Sequence, residues 1–248
     1  MQGARDDMQM MKPVVVTIDT AGDGLSVALT RPDGAAFERV LTVGNRHAEH
    51  LFTLLDELLE SAGVSKREIG LVGFGAGPGG FTGLRVACGV AQGLAWALGC
   101  RTAGVCNLEA LAARAVRCEG LASGAVLAIL NDARMNECYG AAYRVTPEGG
   151  LEVLCTPSLV KPEAVPAWLA ALSPDRLCGN AAAAYETPPG AWGRVARFTQ
   201  PVTALDMAPL ALALHRRGLS VEPALAAPLY VRDRVALTAG ERAAGEKL

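Results

Sequence analysis

Residues 14–34 read VVVTIDTAGDGLSVALTRPDG, and residues 126–149 read VLAILNDARMNECYGAAYRVTPEG. Aligned on Asp19 and Asp132, both follow one plan: an apolar strand, an acid, a turn, a second strand and a hairpin turn, at similar distances. Between them lies the helix-like NLEALAARA of residues 107–115. After the second copy come PEAVPAWLAAL as a helix and DRLCGNAAAAY as a strand running into a loop of small residues. Two related α/β halves are the economical reading.

The first half extends on both sides of its hairpin. A third strand is expected around Phe37 to Val43, making a meander. HAEHLFTLLDELLESAG then places Leu51, Leu54, Leu55, Leu58 and Ala62 at helical spacing, with Asp56, Glu57 and Glu60 facing away and Gly63 as the stop. SKRE has capping-box spacing, and IGLVGFGAG (69–77) reads as a short buried strand. MAPLALALHRRG (207–218) is a last amphipathic helix, with His215 placed in its final turn to complement the helix dipole. The organisation expected is a leader over 1–12, disordered, with Met8, Met10 or Met11 as alternative starts; an N-terminal lobe over 13–106; and a C-terminal lobe over 107–204. Helix 205–218 should pack back on the first lobe, and 219–248 should form a tail, extended and then disordered.

The stretch GFGAGPGGFTGLRVACGVAQGLAWALG (73–99) carries nine glycines, one arginine and no other charge. A nucleotide P-loop is excluded because no lysine stands between Lys66 and Lys161 to reach the phosphates. Gly75, Gly77 and Gly80 fit GxGxxG between a strand and a helix, but the ribose-binding acid that should follow about 20 residues on is absent between Glu68 and Glu109. From Val86 to Leu98 every residue except Gln92 is apolar or glycine, whereas a helix on a protein surface should show a polar face. Gly89 and Gly93, four apart, with Ala87, Ala91 and Ala95 at the same interval, admit another helix at short distance. Either the fold buries this helix on all sides or a partner chain covers it; the second reading is favoured, with Phe52 joining from the neighbouring helix. Arg85 at the loop's end can bind a phosphate or an acidic partner group, or satisfy carbonyls of its own loop.

With 248 residues, 51% of them apolar, and a net charge of −2, the chain suits one or two domains with a sizeable core. Scattered lysines and arginines and few aromatics argue against direct nucleic-acid binding as the main role. Seven cysteines without a CxxC pair or a secretory leader point to reduced thiols and a cytoplasmic location, and no apolar run is long enough to span a membrane. No serine or cysteine sits in a nucleophile elbow, and Cys88 reads as a small hydrophobe.

GAGPGGFTGLRVACGVAQGLA resembles the GPGSFTGxRxGxxxAxGLA motif of the bacterial TsaB (YeaZ) family, with Gly80 where serine is frequent. VVVTIDTAGDGLSVAL, DARMNECYGAAYR and PLYVRDRV are similar to the family's opening strand pair, its DARxxxxYxxxY stretch and its late PxYxRxxV, and NLEALAARA to its SLEALA, with Asn107 in place of serine. The matches run in the family's order from Val14 to Val235. The resemblance implies the two-lobed α/β fold of actin, sugar kinases and heat-shock ATPases (ribonuclease H-like), each lobe a mixed sheet flanked by helices. It implies a non-catalytic subunit in the formation of N6-threonylcarbamoyladenosine next to the anticodon of tRNAs reading codons that begin with A. Its partners would be the catalytic paralogue TsaD and the ATPase TsaE, with homodimers also formed, tRNA met only indirectly and no cofactor of its own, ATP belonging to the assembled complex.

On that resemblance the partner interface falls on the first two helices: His50, Leu51, Leu54, Leu55, Leu58, Phe81, Thr82, Leu84, Arg85, Cys88, Gly89, Ala91, Gln92 and Ala95. A residual nucleotide site, as in kinases of this fold, would use Asp19, Asp132, Gly179 and Asn180. That is the basis of the rival reading, a small ATP-dependent phosphotransferase. No metal is expected: His47 and His50 are one residue too close for the HxxxH pair of TsaD-like sites, and no third ligand is evident.

Overall fold

The computed structural model describes residues 13–22, 24–42 and 47–232; the leader over 1–12, Val43 and the end of the tail fall outside them. The first lobe is a five-stranded sheet of β1 (Val14–Asp19), β2 (Gly24–Thr30), β3 (Ala36–Thr42), β4 (Ile69–Gly77) and β5 (Arg101–Cys106), in the order β3-β2-β1-β4-β5. β1–β2–β3 run antiparallel, and β1–β4–β5 parallel. The second lobe repeats the arrangement with β6 (Val126–Asp132), β7 (Cys138–Val145), β8 (Leu151–Val160), β9 (Arg176–Cys178) and β10 (Ala196–Phe198), in the order β10-β9-β6-β7-β8. Asp19 and Asp132 each close the first strand of their sheet, pairing with Ser26 and Cys138 across the hairpin. This is the two-lobed arrangement of mixed sheets that the echo and the resemblance implied.

β1 is buried throughout because both of its faces are covered. Val14, Val16 and Ile18 point to α1 (His47–Ala62) and α2 (Phe81–Leu98), while Val15 points to α6 (Ala204–Arg216), where it meets Met207 and Ala211. The α6 helix is fixed from its first residue: the Thr17 hydroxyl donates to the Ala204 carbonyl at 2.7 Å, and the Ala204 amide donates to Ser26 Oγ at 2.8 Å. α3 (Asn107–Glu119) lies between the lobes, with Ala110 in the first core and Leu108, Leu111 and Ala115 in the second. Its Arg114 and Arg117 both bind the buried Asp206, which also closes the capping box with Thr203 at the start of α6. α4 (Val165–Leu172) and α5 (Ala181–Tyr185) cover the other face of the second sheet.

Four local readings are adjusted by the structure. The third strand is Ala36–Thr42, and the small-residue segment after β9 is the short helix α5. SKRE does form a capping box, with the Ser65 amide donating to Glu68 Oε2 at 2.8 Å, but opens only a single 3-10 turn. β8 was not foreseen: it is an edge strand, where Pro157 can sit without breaking a ladder on both sides. Among the described residues no helix is long and apolar enough to cross a membrane.

Candidate partner-docking site

The glycine loop runs from the end of β4 into α2 and leans on the β1–β2 turn. Gly80 N donates to the Ala21 carbonyl at 2.8 Å, and the Thr20 hydroxyl donates to the Gly83 carbonyl at 2.6 Å. A Cβ on Gly83 would stand 1.7 Å from the Thr20 carbonyl oxygen, so only glycine lets the helix start this close to the strand. The loop's first amide faces inward too: Gly77 N donates to Asn107 Oδ1 at 2.7 Å, and Asn107 Nδ2 donates to Asp19 Oδ1 at 3.0 Å. These contacts spend the loop on its own chain.

The four residues of the residual nucleotide site are likewise engaged. Asp19, 6% exposed, accepts from Asn107 and from the Ala21 amide. Burial pushes its pKa up to about 6, against the pull of the Asn107 hydrogen bond. Asp132 accepts from the Tyr185 hydroxyl at 2.5 Å and from the Arg134 amide at 2.7 Å, and pairs with the Arg134 guanidinium. Asn180 Oδ1 accepts from the Asp132 amide, and Gly179 (φ 109°) abuts β6 so closely that a Cβ would lie 2.3 Å from the Leu130 carbonyl oxygen.

The helices divide the expected interface in two. Leu51, Leu55 and Leu58 of α1 and Leu84, Cys88, Ala91 and Ala95 of α2 are buried in the protein's own core, so the assignment of these seven to a partner surface is corrected. Their spacing marks the stripe that faces the sheet, and on α2 that stripe is narrow because small side chains bring the helix close to β4. Leu54 is half-buried against the same core, His50 is half-buried, and Gln92 is spent on the Ala226 carbonyl at 2.9 Å. Phe81, Thr82, Arg85 and Gly89 do face outward. The side chain of His47 lies outside the described residues.

The outward face of α2 runs Thr82, Arg85, Gly89, Gly93, Trp96, at steps of three or four residues that align along one side of a helix. Trp96 is 73% exposed, Phe52 on α1 56% and Phe81 39%. A Cβ on Gly89 or Gly93 would meet nothing within 4 Å, so no contact among the described residues requires either glycine. Trp96 was missed from sequence although its spacing from Gly93 placed it on this side. Arg85 lies 3.8 Å over the Phe81 ring and donates to the Tyr230 hydroxyl at 3.1 Å, contacts that involve no carbonyl of its own loop. His215 lies in the last turn of α6, as expected. Burial and nearby Arg101 hold its pKa below the ordinary histidine value, and its Nδ1 is hydrogen-bonded to Ser220 Oγ at 2.9 Å.

A family model described as TsaD, tRNA N6-adenosine threonylcarbamoyltransferase, matches residues 42–204. The chain is 32% identical over 225 residues to the tRNA threonylcarbamoyladenosine biosynthesis protein TsaB of Escherichia coli (strain K12), covering 90% of this chain and 96% of that one. It is 35% identical over 130 residues to the protein of the same name from Haemophilus influenzae, covering 52% and 53%. Among solved structures, YeaZ from Pseudomonas aeruginosa superposes with a TM-score of 0.75 at 34% identity, over 88% of this chain and 99% of that one. A second Pseudomonas aeruginosa structure, described as an uncharacterized protein with similarity to peptidase YEAZ, gives 0.78 at 32% identity, over 89% and 100%.

Proposed function

Because the chain belongs to the TsaB (YeaZ) family, we propose that it serves tRNA threonylcarbamoyladenosine biosynthesis as a non-catalytic subunit that docks a TsaD paralogue along the outward face of α2. The observation that carries this reading is the pair Gly89 and Gly93. Each weakens an isolated helix by about 0.5–1 kcal/mol relative to alanine, and neither relieves any contact among the described residues. Their use is close approach by a helix from outside, with Trp96, Phe81 and Phe52 as exposed anchors around them. A second copy of this chain could use the same face. TsaE would join the docked pair, tRNA would be met through the partner, and the site of action would be the cytoplasm, in keeping with seven unpaired cysteines.

The chemistry of the side chains supports a subunit without its own reaction. Burial pushes the thiols of Cys88, Cys100, Cys106, Cys138 and Cys178 up, the last to about 12, the opposite of an activated thiolate. Ser220 does pair with His215, but it is buried and its Oγ also accepts from Arg101 Nε at 3.0 Å, out of reach of any peptide. The phosphotransferase reading has Asp19 and Asp132 already bound to their own chain.

The reading is tested by reconstituting TsaD and TsaE with tRNA, threonylcarbamoyl donor, ATP and magnesium, with and without this protein, and quantifying the modified nucleoside. Formation is expected to fall at least tenfold without it. Equal yield in both reactions would overturn the proposal.

A further inference from the structure

Beyond its last helix the chain returns to the gap between the lobes. The 3-10 turn Pro223–Leu225 packs on α2, held by Gln92 on the Ala226 carbonyl, and the following residues then cross the mouth of the glycine loop. Leu229 N donates to the Ala76 carbonyl at 2.7 Å, extending the end of β4 by one more ladder bond, and a Cβ on Gly77 would stand 2.8 Å from the Leu229 carbonyl oxygen. Tyr230 packs tilted against Phe81, with ring centroids 5.7 Å apart, and accepts from Arg85. Arg232 reaches the other lobe, where it forms an ion pair with Glu137 and donates to Met135 Sδ at 3.1 Å and to the Arg134 carbonyl. Four consecutive residues thus hold the first lobe, the outward end of α2 and the second lobe.

What Arg232 grips is a strained turn. Arg134, Met135 and Asn136 are all left-handed, with φ of 62°, 56° and 57°, a run that L-residues other than glycine and asparagine resist. Such backbone persists where its surroundings over-determine it, and Arg232 supplies part of that constraint on Arg134, Met135 and Glu137 together. The space left at the loop's mouth, bounded by Pro78, Tyr139, Leu229 and Tyr230, is a cavity of about 30 Å³. That suffices for a water molecule and is an order of magnitude below the ~300–1,000 Å³ of ligand pockets.

We infer that Leu229–Arg232 is an intramolecular latch that fastens the two lobes together over the glycine loop and sets the pose of Phe81 and Arg85 on the outward face of α2. The latch excludes ligands from the interlobe mouth while it is seated. A partner that binds the seated pose of Phe81 and Arg85 must in turn stabilise the latch, because coupling between two sites is reciprocal. Only this last consequence rests on the docking reading. The latch itself is a property of the chain alone.

The test uses the full chain without any partner. Amide exchange of Leu229 and Glu137 and the Arg85 Nε–H resonance are followed by NMR in the natural protein, in Arg232→Ala and in Glu137→Gln. Both variants are expected to exchange the Leu229 amide at least tenfold faster and to shift the Arg85 Nε–H signal, with the exchange of β1 amides unchanged. Unaltered exchange at Leu229 in either folded variant overturns the latch, as does rapid exchange at Leu229 in the natural protein. Partner binding does not enter the readout, so a failed docking proposal leaves this result standing.

Discussion

At the scale of single residues, Asp19 shows how an acid at a strand end becomes part of a floor. Its carboxyl ends β1, where it is 6% exposed and its Oδ1 accepts from Asn107 and Ala21. Burial raises its pKa from 3.8 to about 6. The folded state therefore holds this proton more tightly than the unfolded chain. Stability from this group is full below pH 3.8, declines as pH rises through the interval up to about 6, and is flat above it. The shift corresponds to about 3 kcal/mol. Asp19→Asn should remove that slope. Urea melts at pH 4 and pH 7.5 are expected to show the natural protein losing on the order of 2–3 kcal/mol relative to the variant over the interval. Parallel pH dependence in the two proteins would mean that solvent reaches the carboxylate.

Among the elements, α2 carries glycines of two kinds, and they should respond to alanine with opposite signs. Gly83 faces the Thr20 carbonyl oxygen at a Cβ distance of 1.7 Å, a contact that must push backbone against backbone. Gly83→Ala is expected to destabilise the chain by about 1–3 kcal/mol or more, the range of overpacked cores. Gly89 faces open space, and Gly89→Ala should stabilise the free chain by about 0.5–1 kcal/mol. Thermal melts of the two variants decide the matter, and a Gly89→Ala variant that melts lower than the natural protein would contradict the free face assigned to it. Much of this helix was legible in the sequence, but not its phase. Small residues lie on the side that meets the sheet, Ala87, Ala91 and Ala95, and on the side that meets none of the described residues, Gly89 and Gly93. A pattern of small residues marks close approach without saying to what, so the buried stripe was first given to a partner. The repeated hairpin with its terminal acid was legible because strand, turn and strand are local. The contacts of Arg85 with Tyr230 and of Arg101 with Ser220 join segments more than 100 residues apart. No local spacing could announce them, and β8 hid for a different reason, since an edge strand need not alternate and tolerates Pro157.

For the molecule as a whole, the two lobes are tied at two levels: deep inside by Asp206 between α3 and α6, and across the front by Arg232. Between these ties the first sheet is covered on one face by α6 and α3 and on the other by α1 and α2. Among the described residues, Gly89, Gly93 and Trp96 on the outward side of α2 have no covering layer. That geometry separates folding from docking, and substitutions on the two sides of the same helix should have different consequences. Ala91 is fully buried against the sheet, so Ala91→Arg would report on folding and say nothing about partners. Gly93→Arg places its side chain in open space, and Trp96→Ala trims a ring that is 73% exposed. Both are expected to melt within a few degrees of the natural protein. If α2 is the docking helix, each should weaken association with the partner chain by about 30-fold or more, the effect of losing an anchor worth ~2 kcal/mol at the centre of an interface. Titration calorimetry with purified TsaD measures the heteromeric arm, and sedimentation of the protein alone measures self-association on the same face. Loss in one arm only would mean that the two assemblies use different surfaces. Full-strength binding by both variants in both arms would leave the glycines of α2 without a role and return the docking site to another part of the molecule.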